Sequence, residues 1–135
     1  MARRIHDLTI DSGRDAGKTF RITEKSPWDA EWWAVRALLA MGEAGVEVPE
    51  NYQEAPLATF AQSGLKALMK VSPDRLKPLF DEMFECVQWV GPDRKVVRPL
   101  LESDIEDVKT LVQLREAVFK LHIGFFSDAE APTSA

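Results

Sequence analysis

Apolar and polar positions change period several times along the 135 residues, and each change predicts an element. Arg4 to Ile10 nearly alternates, with Ile5, Leu8 and Ile10 set against His6, Asp7 and Thr9. Lys18 to Thr23 alternates more cleanly, with Phe20 and Ile22 on one side. Asp11 to Gly17 between them is rich in turn formers, so the start of the chain reads as a β-hairpin or a pair of short strands. Ser26 then serves as an N-cap, Pro27 suits the first helical position and Asp29 completes a Ser-x-x-Asp pattern. A helix is predicted from Pro27 to about Met41. At 100° per residue Trp28, Trp32, Val35 and Leu39 form one stripe, and Trp33, Ala37, Ala40 and Met41 a second apolar surface beyond the polar stripe of Asp29, Arg36 and Glu43. A helix apolar on two sides is expected to be covered on two sides.

Gly42 to Ala55 reads as a loop, and Ala58 to Lys70 as a second helix. Ser72-Pro73 starts a third, which Pro78 is expected to break into a short turn and a helix from Pro78 to about Phe84. Cys86–Val90 and Lys95–Leu101 flank the turn residues Gly91-Pro92-Asp93-Arg94 and form a second hairpin; a helix running on to Trp89 is the rival reading. The last helix is predicted from Asp104 to about Ile123, capped by Ser103 with Glu106, and stopped by Gly124. Half of its circumference is apolar. The pattern as a whole predicts an α+β fold, mainly α, of about four helices with an N-terminal β-hairpin. Residues 1–126 are expected to form a single globular domain and 127–135 a disordered C-terminal tail.

Composition changes this picture little: 45% hydrophobic and 29% charged residues suit a globular chain. The net charge of −5 disfavours a nucleic-acid partner, which requires a basic stripe. The single cysteine, Cys86, excludes an internal disulfide and reads as a small core residue. No run is long and apolar enough for a membrane span or a signal peptide.

Candidate chemistry is sparse. Gly13-Arg14-Asp15-Ala16-Gly17-Lys18-Thr19 resembles a phosphate-binding loop, but three residues separate its glycines where four are needed, and a strand follows. It reads as a hairpin turn. Two distant histidines, His6 and His122, and one cysteine do not make a zinc site. The acidic groups Asp81-Glu82-Glu85 and Asp104-Glu106-Asp107 read as solvated or dipole-complementing helix residues. No catalytic residue, cofactor or metal ligand is therefore assigned. Residues 69–73 have the look of a helix-turn-helix, yet the following helix carries Asp81, Glu82 and Glu85 where base-reading residues belong. Arg115 and His122 project into the apolar sector of the last helix. Arg115 then needs a carboxylate, Asp104 or Asp107, or a polar contact across a subunit interface. Trp28 and Trp32 are expected in the core, while Trp33 faces either the core or an interface. The residues expected to serve a partner or self-association are Trp33, Ala37, Met41, Arg115, Phe125 and Phe126.

The run Arg14 to Glu24, followed by Ser26-Pro27-Trp28-Asp29-Ala30-Glu31-Trp32, resembles the opening of the tail assembly chaperones of long, flexible-tailed phages and prophages. The ending from Asp104-Ile105-Glu106-Asp107 to His122-Ile123-Gly124-Phe125-Phe126 is similar too. The two stretches lie toward opposite ends of the chain, and the middle, Gly42 to Leu101, is matched only by its helical character. The resemblance implies a non-enzymatic factor that binds the tape measure protein, and through it meets the tail tube protein. Such a factor keeps the tape measure soluble for tube polymerisation, self-associates, acts in the host cytoplasm and is absent from the finished virion. No family residue with a binding role maps onto a position here. The alternative is a small adaptor or regulator that binds a host protein or nucleic acid.

Overall fold

The computed structural model describes residues 3–130, and only the backbone of Asn51 and of residues 125–130. Among these residues the fold is α+β and mainly helical, with four α-helices and one four-stranded antiparallel sheet. The chain divides into two compact units. Of the described residues, one takes those up to Glu24 and returns for Asp81–Leu121; the other takes Lys25–Phe80 and residues 122–130.

The first unit holds the sheet. Strands β1 (Ile5–Thr9) and β2 (Thr19–Thr23) make the N-terminal hairpin that their alternation predicts. β3 (Val87–Val90) pairs with β2, and β4 (Val97–Pro99) pairs with β3, giving the order β1-β2-β3-β4. The second hairpin thus forms, and the helix to Trp89 does not. Phe20, Ile22 and Val87 are buried on the core face, where the register sets Ile22 beside Val87. The opposite face is polar: Arg21 makes two hydrogen bonds to the Asp7 carboxylate at 2.8 and 3.2 Å, and the Thr9 and Thr19 hydroxyls meet at 2.8 Å.

Helix α4 (Val108–Glu130) starts four residues later than its sequence predicts and runs through Gly124, which does not stop it. The start is displaced because the residues expected in its first turn are engaged elsewhere: the Glu106 and Asp107 amides donate to Asp15. Asp104 ends a short 3₁₀ turn, Glu102–Asp104, and its carboxylate is held by Arg98. Asp107 takes over as the cap: its carboxylate accepts from the Lys109 amide and its carbonyl from that of Thr110. Within this unit Thr110, Leu114 and Val118, spaced four apart, form the buried stripe of α4. Of the expected tail, residues 127–130 continue the helix, and 131–135 lie outside the described residues.

The second unit is helical. α1 (Pro27–Glu43) begins as predicted, with the Ser26 hydroxyl accepting from the Asp29 amide at 3.1 Å. α2 (Pro56–Ser63) is shorter than the predicted helix: Gly64, at φ +81°, ends it, and Leu65–Lys70 continues as a 3₁₀ helix. α3 (Pro73–Phe84), whose last turn belongs to the first unit, is continuous. Pro78 does not break it as expected; Asp74, whose carbonyl would receive the amide hydrogen that proline lacks, is an exposed residue. No helix among the described residues is long and apolar enough to cross a membrane.

Candidate binding surface

α1 presents two apolar surfaces, and Trp28 and Trp32 do not take the core place expected of them, while Trp33, open to either role, does. Trp33, Ala37 and Met41 are buried, at 6%, 0% and 0% exposure. Trp28, Trp32 and Leu39 are open to solvent, at 85%, 59% and 45%. The reason lies in side-chain size and in one hydrogen bond. Ala30, Ala34 and Leu38 join the buried side, and its alanines are small enough to let neighbouring helices approach closely. Trp33 fits there because its indole N–H donates to the Leu79 carbonyl at 3.0 Å. Its ring meets Phe60 edge-on, with centroids 4.9 Å apart. Among the described residues nothing comparable satisfies Trp28, which is 85% exposed. Trp33, Ala37 and Met41, expected to meet a partner, are therefore core residues of this unit.

The exposed surface is ordered. Trp28, Trp32, half-buried Val35 and Leu39 follow the i, i+4, i+7, i+11 spacing of one helix face. The Arg36 guanidinium lies 5.5 Å from the Trp32 ring centroid. Beyond Leu39 the face continues into a groove of about 300 Å³. Leu39, Ala40 and Leu79 supply its apolar lining, and Arg36, Glu43 and Arg75 its charged rim. Arg75 and Glu43 pair across that rim at 2.9 Å, and both are more than half exposed.

The remaining expected residues do not join this face. Arg115 lies in the other unit, half-buried, with its guanidinium 5.7 Å from the Phe84 ring centroid. Burial lowers its pKa from the ordinary arginine value. Neither expected carboxylate pairs with it. Asp104 receives Arg98 in a two-pronged contact at 2.7 and 2.9 Å, and Asp107 caps α4. The hydrogen bonds from Arg98 hold the Asp104 carboxyl below the usual carboxylate range. Asp104 is buried rather than solvated, contrary to expectation. His122 accepts at Nε2 from the Lys25 amide at 2.9 Å. The side chains of Phe125 and Phe126 lie outside the described residues.

The loop that resembles a phosphate site is a structural joint. Lys18, the residue that would face a phosphate, donates to Asp15 Oδ1 at 2.9 Å and to the Asp104 carbonyl at 2.8 Å. Asp15 itself is fully buried. It accepts from the Glu106 amide, the Asp107 amide at 3.0 Å and the Thr110 hydroxyl at 2.6 Å. Burial alone would raise its pKa, but the hydrogen bonds from Thr110, Lys18 and the two amides outweigh it and hold the carboxyl well below the usual range. Sequence reading missed Asp15. The one available signal was an acidic residue inside a glycine-flanked turn. Among the described residues no group of three or more His, Cys, Asp or Glu is placed to hold a metal ion. No family model, curated protein or solved structure matches the chain.

Proposed function

We propose that this chain is a non-enzymatic tail assembly chaperone, which binds the phage tape measure protein and keeps it soluble while tail tube subunits polymerise around it. The observation that carries the reading is the exposed Trp28–Trp32–Leu39 row on α1. Two solvated indoles on one helix face have no role in this unit's own core, whose tryptophan is Trp33. Exposed tryptophans of this kind are the residues that dominate binding energy when a partner covers them. The spacing of the row, and the charged-rim groove beyond it, suit an amphipathic helix laid along α1 with its own apolar positions three and four apart. A long, helical, aggregation-prone tape measure protein offers many such segments. The partner's identity rests on the family resemblance of the N-terminal stretch that includes Trp28 and Trp32. The net charge of −5 favours solubility of the complex. Action in the host cytoplasm, self-association and absence from the virion belong to the same reading.

Co-expression with the tape measure protein, followed by size-exclusion chromatography with light scattering, tests it. A soluble co-eluting complex is expected, and the Trp28→Ala/Trp32→Ala double variant should lose it while keeping the wild-type melting temperature. A tape measure protein that still precipitates beside a well-folded partner overturns the reading. The exposed row would then be tested against host proteins as that of an adaptor.

A further inference from the structure

The sheet of the first unit ends in an open edge, and that edge has a groove beside it. Among the described residues β1 pairs only with β2. The Glu24 amide donates to the Arg4 carbonyl and the Ile10 amide to the Lys18 carbonyl, so Arg4, His6, Leu8 and Ile10 direct their backbone groups toward β2. The N–H and C=O groups of Ile5, Asp7 and Thr9 therefore point outward, and none of them has a backbone partner among the described residues. Such an edge is a template for one more strand. Against it lies an open groove of about 680 Å³, walled by β1 on one side and α4 on the other. Leu8, Ala117 and Leu121 give it apolar surface, and Glu116 and Lys120, paired at 2.8 Å, mark its rim. The Gln113 Oε1 on the helix wall is buried and accepts no hydrogen bond among the described residues.

The charge around this edge selects the occupant. Arg3, Arg4, Arg21, Arg94 and Lys120 stand there against Asp7, Glu24 and Glu116, five cations to three carboxylates, in a chain whose net charge is −5. The surplus of two is shared: Arg21 at 2.8 Å and Arg94 at 3.6 Å both flank the Asp7 carboxylate, and at the start of β1 Arg4 pairs with Glu24 at 3.4 Å while Arg3 adds a further cation beside it. A second copy of the chain fits poorly. Pairing about the middle of β1 sets two Asp7 side chains face to face and joins two edges that both carry excess positive charge.

We infer that β1 and the α4 groove bind an extended acidic–apolar segment of another protein by strand addition. Its backbone pairs antiparallel with Ile5, Asp7 and Thr9, alternate apolar side chains enter the groove, and its carboxylates meet Arg3 and Arg4. This inference is independent of the helix-binding face on α1, because it uses other residues and another partner conformation.

The probe is a labelled, end-capped peptide, Val-Thr-Val-Thr-Val-Glu-Glu, whose carboxylates reach the Arg3–Arg4 end when it runs antiparallel to β1. Three things are expected. The peptide binds with amide shifts and slowed exchange at Ile5, Asp7 and Thr9. Replacing its glutamates by lysines weakens binding about tenfold at low salt. Replacing its central valine by proline abolishes binding. On the protein side, Ile5→Pro removes an outward N–H that bonds nothing in the sheet, so it should keep the melting temperature and lose the peptide. A change of the Trp28 and Trp32 signals instead of the β1 amides overturns the inference, as does equal binding of the lysine peptide. So does a dimer of the chain occupying the edge, or the absence of binding at millimolar peptide.

Discussion

The two units are stabilised in different ways. In the sheet unit a buried carboxylate, Asp15, gathers Lys18, two backbone amides and a hydroxyl, and so joins the β1–β2 turn to the segment ahead of α4. In the helical unit the equivalent position is a buried indole, Trp33, packed on Phe60 and needing one hydrogen bond. The first arrangement fixes a loop in one conformation, because the two amides and the Thr110 hydroxyl lose the carboxylate they donate to, and Lys18 keeps only the Asp104 carbonyl, if Asp15 is lost. The second tolerates change better, since apolar contacts have no obligatory partner.

Asp15→Ala should therefore be the most damaging single change. It removes the counter-ion of Lys18 and the acceptor of two amides and the Thr110 hydroxyl, and is expected to cost about 3–5 kcal/mol. Denaturant melts read at equilibrium measure it, and a loss under 1 kcal/mol would mean that the loop does not depend on this carboxylate. Acid should expose the same difference. The folded pKa of Asp15 lies below its ordinary value of 3.8, as do those of Asp104 and Asp7. The stability these groups contribute is fully present above that value and falls away as pH drops through the folded values. Stability should thus decline steeply below about pH 4, and Asp15→Asn should flatten that limb. An acid limb of unchanged steepness in the variant would assign it to other carboxylates.

Trp33→Phe probes the apolar side of the comparison. It keeps a ring in the core but removes the donor to Leu79 and part of the buried area, for an expected loss of about 1–2 kcal/mol. The same melts decide it, and a cost as large as that of Asp15→Ala would erase the contrast between the two units. Gly13→Ala comes next. Gly13 holds φ +84°, and an added Cβ would stand 2.6 Å from the Asp107 carboxylate that caps α4. The expected cost is about 1–2 kcal/mol, and amide exchange should quicken first at the start of α4.

How far each unit could be read from sequence follows from the same contrast. The hairpins, the start of α1 and the α+β class came through because strand alternation and a Ser-Pro cap are local signals. Asp15 stayed hidden because its partners lie about ninety residues away, at Glu106, Asp107 and Thr110. The start of α4 was misplaced for the same reason: Ser103 and Glu106 form a plausible local cap, but Arg98 holds Asp104 outside the helix. On α1 the two apolar stripes were both legible, yet periodicity weighs a tryptophan by its hydrophobicity alone. The stripe with two of the three tryptophans looked like the core. The alanine-rich stripe won because small side chains allow close packing and its single indole finds a carbonyl. Part of the candidate surface was thus visible as a pattern and assigned to the wrong side.

The smallest expected effect separates core from surface most sharply. Trp28 is 85% exposed, so Trp28→Ala removes a large indole from water rather than from packing. Its cost to stability should stay within about 0.5 kcal/mol, against the larger loss for Trp33→Phe five positions along the same helix. If Trp28→Ala instead destabilised the chain by more than about 1 kcal/mol, the indole would be packed in solution and the exposed row on α1 would not exist as a binding face. A near-zero cost leaves a large apolar side chain that the isolated chain gains nothing from exposing. Retaining it then has a physical reason only in something that covers it, so binding measurements on this one variant should show a loss where the melts show none.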